Sequence, residues 1–302
     1  MKAVLLHEYG DSTRLRYEET DMPDWGDSEV LVRMHATSIN PVDYKVRSGA
    51  ARERFPVDFP GILGRDLAGE VEAWGRNVTG FTKGMRVIAL ANGTYAEYAV
   101  AKADTLAPIP DTLTWQQAGA LPLVTLTGAQ LIERAVKPKP GETILVTGAL
   151  GSVARTAVHV ARKRNTRVLA GVRRTEIDEA RRQLGVDTIA IDEDDAIAQL
   201  HDLEAIADTV NGPTIQRLLP AIRSGGVLGS VLGKPEGAEK YNIRVEAMMA
   251  VPDASRLYQL AEDVSRAEFQ IPIARVMKLA EIQEAHRLAE THATKGKIVL
   301  VP

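Results

Sequence analysis

The stretch Glu142–Ala161, ETILVTGALGSVARTAVHVA, decides how the rest of the chain is read. Ile144, Leu145 and Val146 form a short apolar run that ends at Thr147. Gly148, Gly151 and Ala154 follow at three-residue spacing, and an apolar helical pattern begins with Val153, Ala157, Val160 and Ala161. A strand, a tight glycine turn and a helix in that order set a helix N-terminus and free backbone N–H groups against a pyrophosphate. Gly148, Ala149, Leu150, Gly151, Ser152 and Val153 are therefore candidate contacts to such a group. Ala154 departs from the third glycine of the fingerprint, and its methyl predicts a slightly displaced helix. Ser152 has two roles open to it, donor to a phosphate oxygen or helix cap. Alone, the fingerprint is a weak signal, because glycine turns occur in many strand–helix units.

The next strand, Val168–Val172, sharpens it. The residue at the end of the second strand selects between dinucleotides, an acid for a ribose 2′-hydroxyl and a cation for a 2′-phosphate. No acid stands there, and Arg173 and Arg174 come next. Their guanidinium forks match a phosphate, so the predicted cofactor is NADPH; the plainer alternative is a pair of solvated loop charges. Thr175 is placed to cap the helix that follows.

Working outward, residues 143–232 alternate strand and helix patterns, which predicts a parallel, doubly wound α/β sheet. The patterns are helices over 152–164, 176–184, 195–201 and 213–223, with strands at Thr188–Ile191, Ala205–Val210 and Gly226–Leu232. Residues 1 to about 118 differ. Lys2–Leu6, Glu29–Ala36, Gly69–Trp74, Arg86–Leu90 and Tyr95–Val100 are short runs between Gly, Pro, Asp or Asn, the texture of a barrel-like β domain. Thr127–Val136 reads as a helix closed by Pro138 and Pro140, and helices over 254–265 and 280–291 precede a last strand, Lys297–Val301.

The composition excludes several classes. The 302 residues are 45% hydrophobic and 25% charged with a net charge of −3, which gives no pull toward nucleic acid or an anionic membrane. No apolar run approaches the ~20 residues that span a bilayer. The N-terminus, MKAVLLHEYG, is too short in apolar core for a signal peptide, so the expected location is cytoplasmic. Cysteine is absent, which removes disulfides, thiolate nucleophiles and thiolate metal ligands together. The histidines His7, His35, His159, His201, His286 and His292 show no tight ligand spacing, and no metal is expected.

Five segments, in order, resemble the medium-chain dehydrogenase/reductase superfamily, in its zinc-independent quinone and enone (alkenal) reductase branch. They are SINPVDYKVRSG (Ser38–Gly49), PGILGRDLAGEV (Pro60–Val71), GTYAEYAV (Gly93–Val100), ALPLVTLTGAQ (Ala120–Gln130) and GKIVL (Gly296–Leu300). The resemblance implies a GroES-like β-barrel catalytic domain over 1–119 and 268–302, and a Rossmann-type NADP-binding domain over 120–267. The alcohol dehydrogenase branch would place a cysteine where this chain has Asn40 and a His–Glu pair where it has Arg65 and Asp66. Without zinc an alkoxide has no Lewis acid, whereas reduction of a quinone or an activated C=C bond needs none.

The implied function is hydride transfer from NADPH to a quinone or α,β-unsaturated carbonyl, a small-molecule electrophile. Alternatives are a non-catalytic NADPH sensor or an enoyl-thioester reductase, although the tyrosine wanted for the last is missing from Ala50–Arg54. The resemblance points to Lys45, Tyr44, Asn40 and Asp43 as catalytic candidates: Lys45 for the nicotinamide ribose or the enolate, Tyr44 or water as proton donor. Asn40 and Asp43 serve equally well as caps of a short helix, and Lys45 as a surface charge. By the same resemblance Thr127, Asn211, Leu232 and Gly233 contact the cofactor. The sequence does not fix the oligomeric state; by analogy, a homodimer joined edge to edge would use Gly226–Leu232 or Ile243–Ala247.

Overall fold

The structure is a computed structural model, and it describes every residue except His292. That histidine, one of the six weighed as metal ligands, lies outside the described residues. The chain divides into two compact units. One comprises Met1–Leu123, Pro252–Ala267 and Ile271–Pro302; the other comprises Val124–Val251 and Glu268–Gln270.

The first unit is built on a long bent strand, Glu29–Ser38. It pairs antiparallel with Asp66–Trp74, Tyr98–Lys102 and the C-terminal Lys297–Val301. Irregularities in its register between Leu31 and Val32 and between Met34 and Ala36 turn it from one partner to the next. A smaller antiparallel sheet joins Leu15–Glu19, Lys2–Leu6 and Gly61–Ile62. Val4, Leu15, Ile298 and Leu300 meet Ile282 and Ala285 of the helix Ile282–Glu290 in one buried core. Helix α1, Pro41–Arg47, leaves the end of the long strand with proline at its first position, where the missing N–H costs nothing.

In the second unit, helix α2 (Pro122–Gln130, whose first two residues belong to the first unit) leads to strand β1 (Thr143–Thr147). Helix α3 (Ser152–Lys163) and strands β2 (Arg167–Val172), β3 (Asp187–Ala190), β4 (Leu203–Asp208), β5 (Ile222–Ser230) and β6 (Arg244–Ala247) follow. The sheet order is β3-β2-β1-β4-β5-β6, parallel throughout. The winding order reverses between β1 and β4, a switch point of the kind where open α/β sheets bind ligands at the carboxyl ends of their strands.

Several expectations are corrected. The predicted helix Thr127–Val136 starts earlier, at Pro122, and finishes in a wide π-type turn, Leu131–Val136, closed by Lys137 N–H on the Ile132 carbonyl at 2.7 Å. The predicted helix 213–223 stops at Leu218 because Pro220 ends it, and β5 begins at Ile222. Tyr95 is not in the strand that begins at Tyr98, since its backbone bonds instead to Leu63 and Val4. Strand Ile273–Lys278, which the sequence did not suggest, pairs parallel with Lys297–Val301. The helix Ala254–Ser265, expected within a nucleotide-binding domain over 120–267, belongs to the first unit, with Leu257, Leu260 and Ala261 buried. Gly226–Leu232 is not a sheet edge either: β5 is paired on both sides, and β6 is the edge on that side of the sheet.

Candidate active site

At the carboxyl end of β1 the chain turns at Gly148, with φ at +61°. A Cβ there would stand 2.8 Å from Val210 and 3.0 Å from Thr209, so only glycine fits both the backbone and the space. Gly151 N–H bonds to the Gly148 carbonyl at 2.8 Å and Gly151 caps α3 without a side chain. The first N–H groups of α3 are thus left for a ligand. Ser152 does not take the capping role, and its hydroxyl makes no hydrogen bond among the described residues. Behind the turn, buried Arg155 donates from Nε to the Leu150 carbonyl at 2.8 Å and bonds Gln183 through its other end.

The rim beside this turn is held by three fully buried polar side chains. Asp208, at the end of β4, accepts from Thr147 Oγ1 at 3.1 Å, from Ser230 Oγ at 2.9 Å and from the N–H groups of Val210 and Asn211. It ties the ends of β1, β4 and β5 together. Asn211 then donates to the Leu232 carbonyl at 3.4 Å, which sets Asn211, Leu232 and Gly233 on one rim. Thr127 lies on α2 beside Gly128, where a Cβ would stand 2.2 Å from the Val153 carbonyl; that glycine lets α2 touch the start of α3. Arg173 and Arg174 follow β2 and are exposed. The Arg174 N–H bonds Asp192 Oδ1 at 2.8 Å and its Nε is 3.7 Å from Glu193, while Arg173 has no ion pair among the described residues. Thr175 caps nothing; it sits inside a short 3-10 turn, Arg174–Glu176, and Glu176 precedes the helix Ile177–Leu184.

In the first unit Asn40 and Asp43 are buried in a polar cluster. Asp43 Oδ2 accepts the Asn40 N–H at 2.8 Å, the reach-back half of a capping box, and the Tyr95 hydroxyl at 2.9 Å. The Asn40 amide donates to Asp66 Oδ2 at 2.7 Å, and its oxygen accepts from Lys297 Nζ at 2.5 Å. Asp66 also receives the Ser38 hydroxyl and the Leu123 N–H, with the Lys297 ammonium 3.5 Å away. Burial pushes the Asp43 carboxyl up to about 7 against the opposing pull of its hydrogen bonds. Burial also lowers the Lys297 ammonium and raises the Tyr95 phenol well above its ordinary value. Tyr44 is half-buried, its phenol raised by burial and then by the Glu290 and Asp43 charges. Lys45 is exposed and its ammonium has no partner among the described residues.

The family described as "Alcohol dehydrogenase GroES-like domain" matches residues 26–111, and "Zinc-binding dehydrogenase" matches residues 184–300. Mouse quinone oxidoreductase is 35% identical over 172 residues, which cover 56% of this chain and 51% of the mouse protein. The match thus spans about half the length of that relative. Among solved structures, the quinone oxidoreductase from Coxiella burnetii is 27% identical with a TM-score of 0.89, covering 100% of this chain and 99% of that one. The chain belongs to the medium-chain dehydrogenase/reductase superfamily, in its quinone oxidoreductase branch. The Escherichia coli quinone oxidoreductase, solved in complex with NADPH, shares this superfamily fold at 24% identity and a TM-score of 0.87 over 100% of both chains. A GroES-like domain with a Rossmann-type parallel sheet is the superfamily's architecture and this chain's.

Within that frame the structure brings Gly148–Val153, Asn211, Leu232 and Gly233 together at the carboxyl ends of β1, β4 and β5. Of the four catalytic candidates, it commits Asn40 and Asp43 to internal hydrogen bonds and leaves Tyr44 and Lys45 more accessible. Sequence reading missed Asp208, Thr147, Ser230, Arg155 and the Asp66–Lys297 pair. A signal existed for Asp208 alone, an acid closing the apolar strand LEAIAD.

Proposed function

We propose that the protein is an NADPH-dependent oxidoreductase that transfers hydride, without zinc, to a quinone or an α,β-unsaturated carbonyl. The observation that carries the reading is the uncapped N-terminus of α3 behind the Gly148 turn, joined to two exposed arginines after β2. The free N–H groups suit a pyrophosphate, and Arg173 and Arg174 suit a 2′-phosphate. Bound NADPH supplies the hydride. The chain's own part is to hold the dinucleotide through Gly148–Val153, with Thr127, Asn211, Leu232 and Gly233 on the rim. Lys45 and Tyr44 remain the groups able to act at ribose or substrate.

One of the two matching families is named for zinc, and the donor set here does not fit that ion. The chain has no cysteine. Asn40 Oδ1 and Asp66 are engaged by the Lys297 ammonium, whose positive charge opposes a second cation at that place. No step is therefore routed through a metal. No helix among the described residues is long and apolar enough to cross a membrane.

The test is an NADPH-oxidation screen with quinones and enones of graded size, run beside NADH. Turnover with NADPH well above NADH is expected, and Arg174→Glu is expected to weaken NADPH far more than NADH. Equal losses for the two cofactors would sink the 2′-phosphate assignment. Tight NADPH binding with no turnover on the whole panel would favour a cofactor sensor.

A further inference from the structure

A cavity of about 600 Å³ opens within the first unit beside α1. Val42, Asp43, Arg54, Phe55, Asp58 and Arg65 are among the residues that line it. Arg65 is the unusual member. Its Nε is buried without a hydrogen-bond partner, and its guanidinium forms no ion pair among the described residues. A buried guanidinium Nε–H with no acceptor is costly and calls for a partner, which a ligand or water in the cavity would supply. Its setting is defined on all sides. Ala91 N–H holds the Arg65 carbonyl at 2.9 Å. The guanidinium carbon lies 5.9 Å from the centre of the Phe55 ring. Asp66, which opens the strand that follows, turns its side chain into the Asn40–Lys297 cluster, whereas Arg65, just before that strand, lines the cavity. Gly64 adopts φ +98° with Tyr95 and Thr94 so close that a Cβ would stand 2.5 and 2.4 Å from them, so the approach to Arg65 is rigid.

We propose that Arg65 receives the acceptor oxygen of the substrate, a planar conjugated carbonyl compound whose ring or chain lies along Phe55. The assignment rests on the reductase reading above. When hydride brings two electrons and one hydrogen to the conjugated acceptor, the negative charge moves to the carbonyl oxygen. The guanidinium fork holds that oxyanion until a proton from water completes the hydroquinone or enol; the dinucleotide leaves oxidised by two electrons. Asp58, a carboxylate, cannot serve an oxyanion; Asp43 is engaged by the Asn40 N–H and the Tyr95 hydroxyl, and Arg54 is an exposed second cation at the rim.

The test separates this assignment from the reductase reading by using a ligand that cannot be reduced. Titration calorimetry with 2-naphthoate, a flat aromatic carrying a fixed oxyanion, is run against the uncharged 2-naphthamide. Tighter binding of the naphthoate is expected, lost by about tenfold or more in Arg65→Gln and partly restored in Arg65→Lys. With a quinone, the same glutamine variant is expected to lose kcat more than it raises KM. Naphthoate binding that is equal in the parent protein and Arg65→Gln, with Arg65→Lys also unchanged, would overturn the proposal. Arg65-dependent naphthoate binding in a protein that reduces no quinone or enone would keep the oxyanion site and overturn the reductase reading.

Discussion

Lys297 shows how one buried charge can organise a neighbourhood. Its ammonium bonds the Ile39 carbonyl at 2.9 Å and Asn40 Oδ1 at 2.5 Å, and stands 3.5 Å from Asp66. Removing one member of a buried pair leaves the other charge uncompensated, which costs about 3–5 kcal/mol. Lys297→Met is therefore expected to lower unfolding free energy by about that amount in urea titration. Asp66→Asn in the same background should recover part of the loss; full additivity of the two changes would show that the pair is not coupled. The sequence offered only GKIVL as a resemblance and gave Lys297 no task. Residue identity cannot reveal a partner 257 positions away.

At the scale of elements, the second unit depends on how closely α2 lies on α3. Gly128 makes that contact, and a Cβ there would meet the Val153 carbonyl at 2.2 Å. Gly128→Val is expected to cost about 1–3 kcal/mol in stability by overpacking. It should also weaken NADPH, because Val153 lies in the first turn of α3, next to the glycine turn; fluorescence titration of the dinucleotide reads the second effect, and unchanged affinity would detach α2 from the site. The exposed edge at β6 is likewise an element-scale feature. An edge-to-edge dimer joined through Arg244–Ala247 would use it, and light scattering that returns 32.8 kDa would exclude the dimer. Periodicity predicted β1 to β5 and α3 well, because each is a run of local choices. It failed over 219–223, where Pro220 ends the helix; at 254–265 the helix forms as expected, and only its place in the first unit was not legible.

For the molecule as a whole, two buried groups set opposing responses to pH. His286 is buried beside Arg47, and burial with that positive charge pushes its imidazole down from 6.5 to about 3. Between those values the unfolded chain takes up a proton that the folded chain refuses, so stability falls as pH drops. Asp43 is raised from 3.8 to about 7, so in that window the folded chain keeps a proton the unfolded chain has lost, and stability falls as pH rises. The two slopes offset each other where the windows overlap. Asp43→Asn should expose a fall in thermal midpoint on acidification from 6.5, and His286→Gln should give the opposite slope. Variants that both keep the parent's profile would show that neither burial governs it.

What the sequence by itself determined is local and chemical: the glycine turn at 148–151, the arginines after the second strand, the absence of thiols and the alternation of strand and helix. These follow from neighbouring residues through hydrophobic period, backbone freedom and charge. The glycine turn that first suggested a dinucleotide is present as a cradle, and its uncapped helix follows directly from Gly151. Only the tertiary structure decided that Asn40 and Asp43 are buried in a hydrogen-bonded cluster, that Asp208 gathers three strand ends, and that Arg65 Nε is left without a hydrogen-bond partner. Each of those depends on which distant segment packs nearby. Hydrogen bonding and desolvation act between groups in space, and the order of residues along the chain does not encode that distance directly.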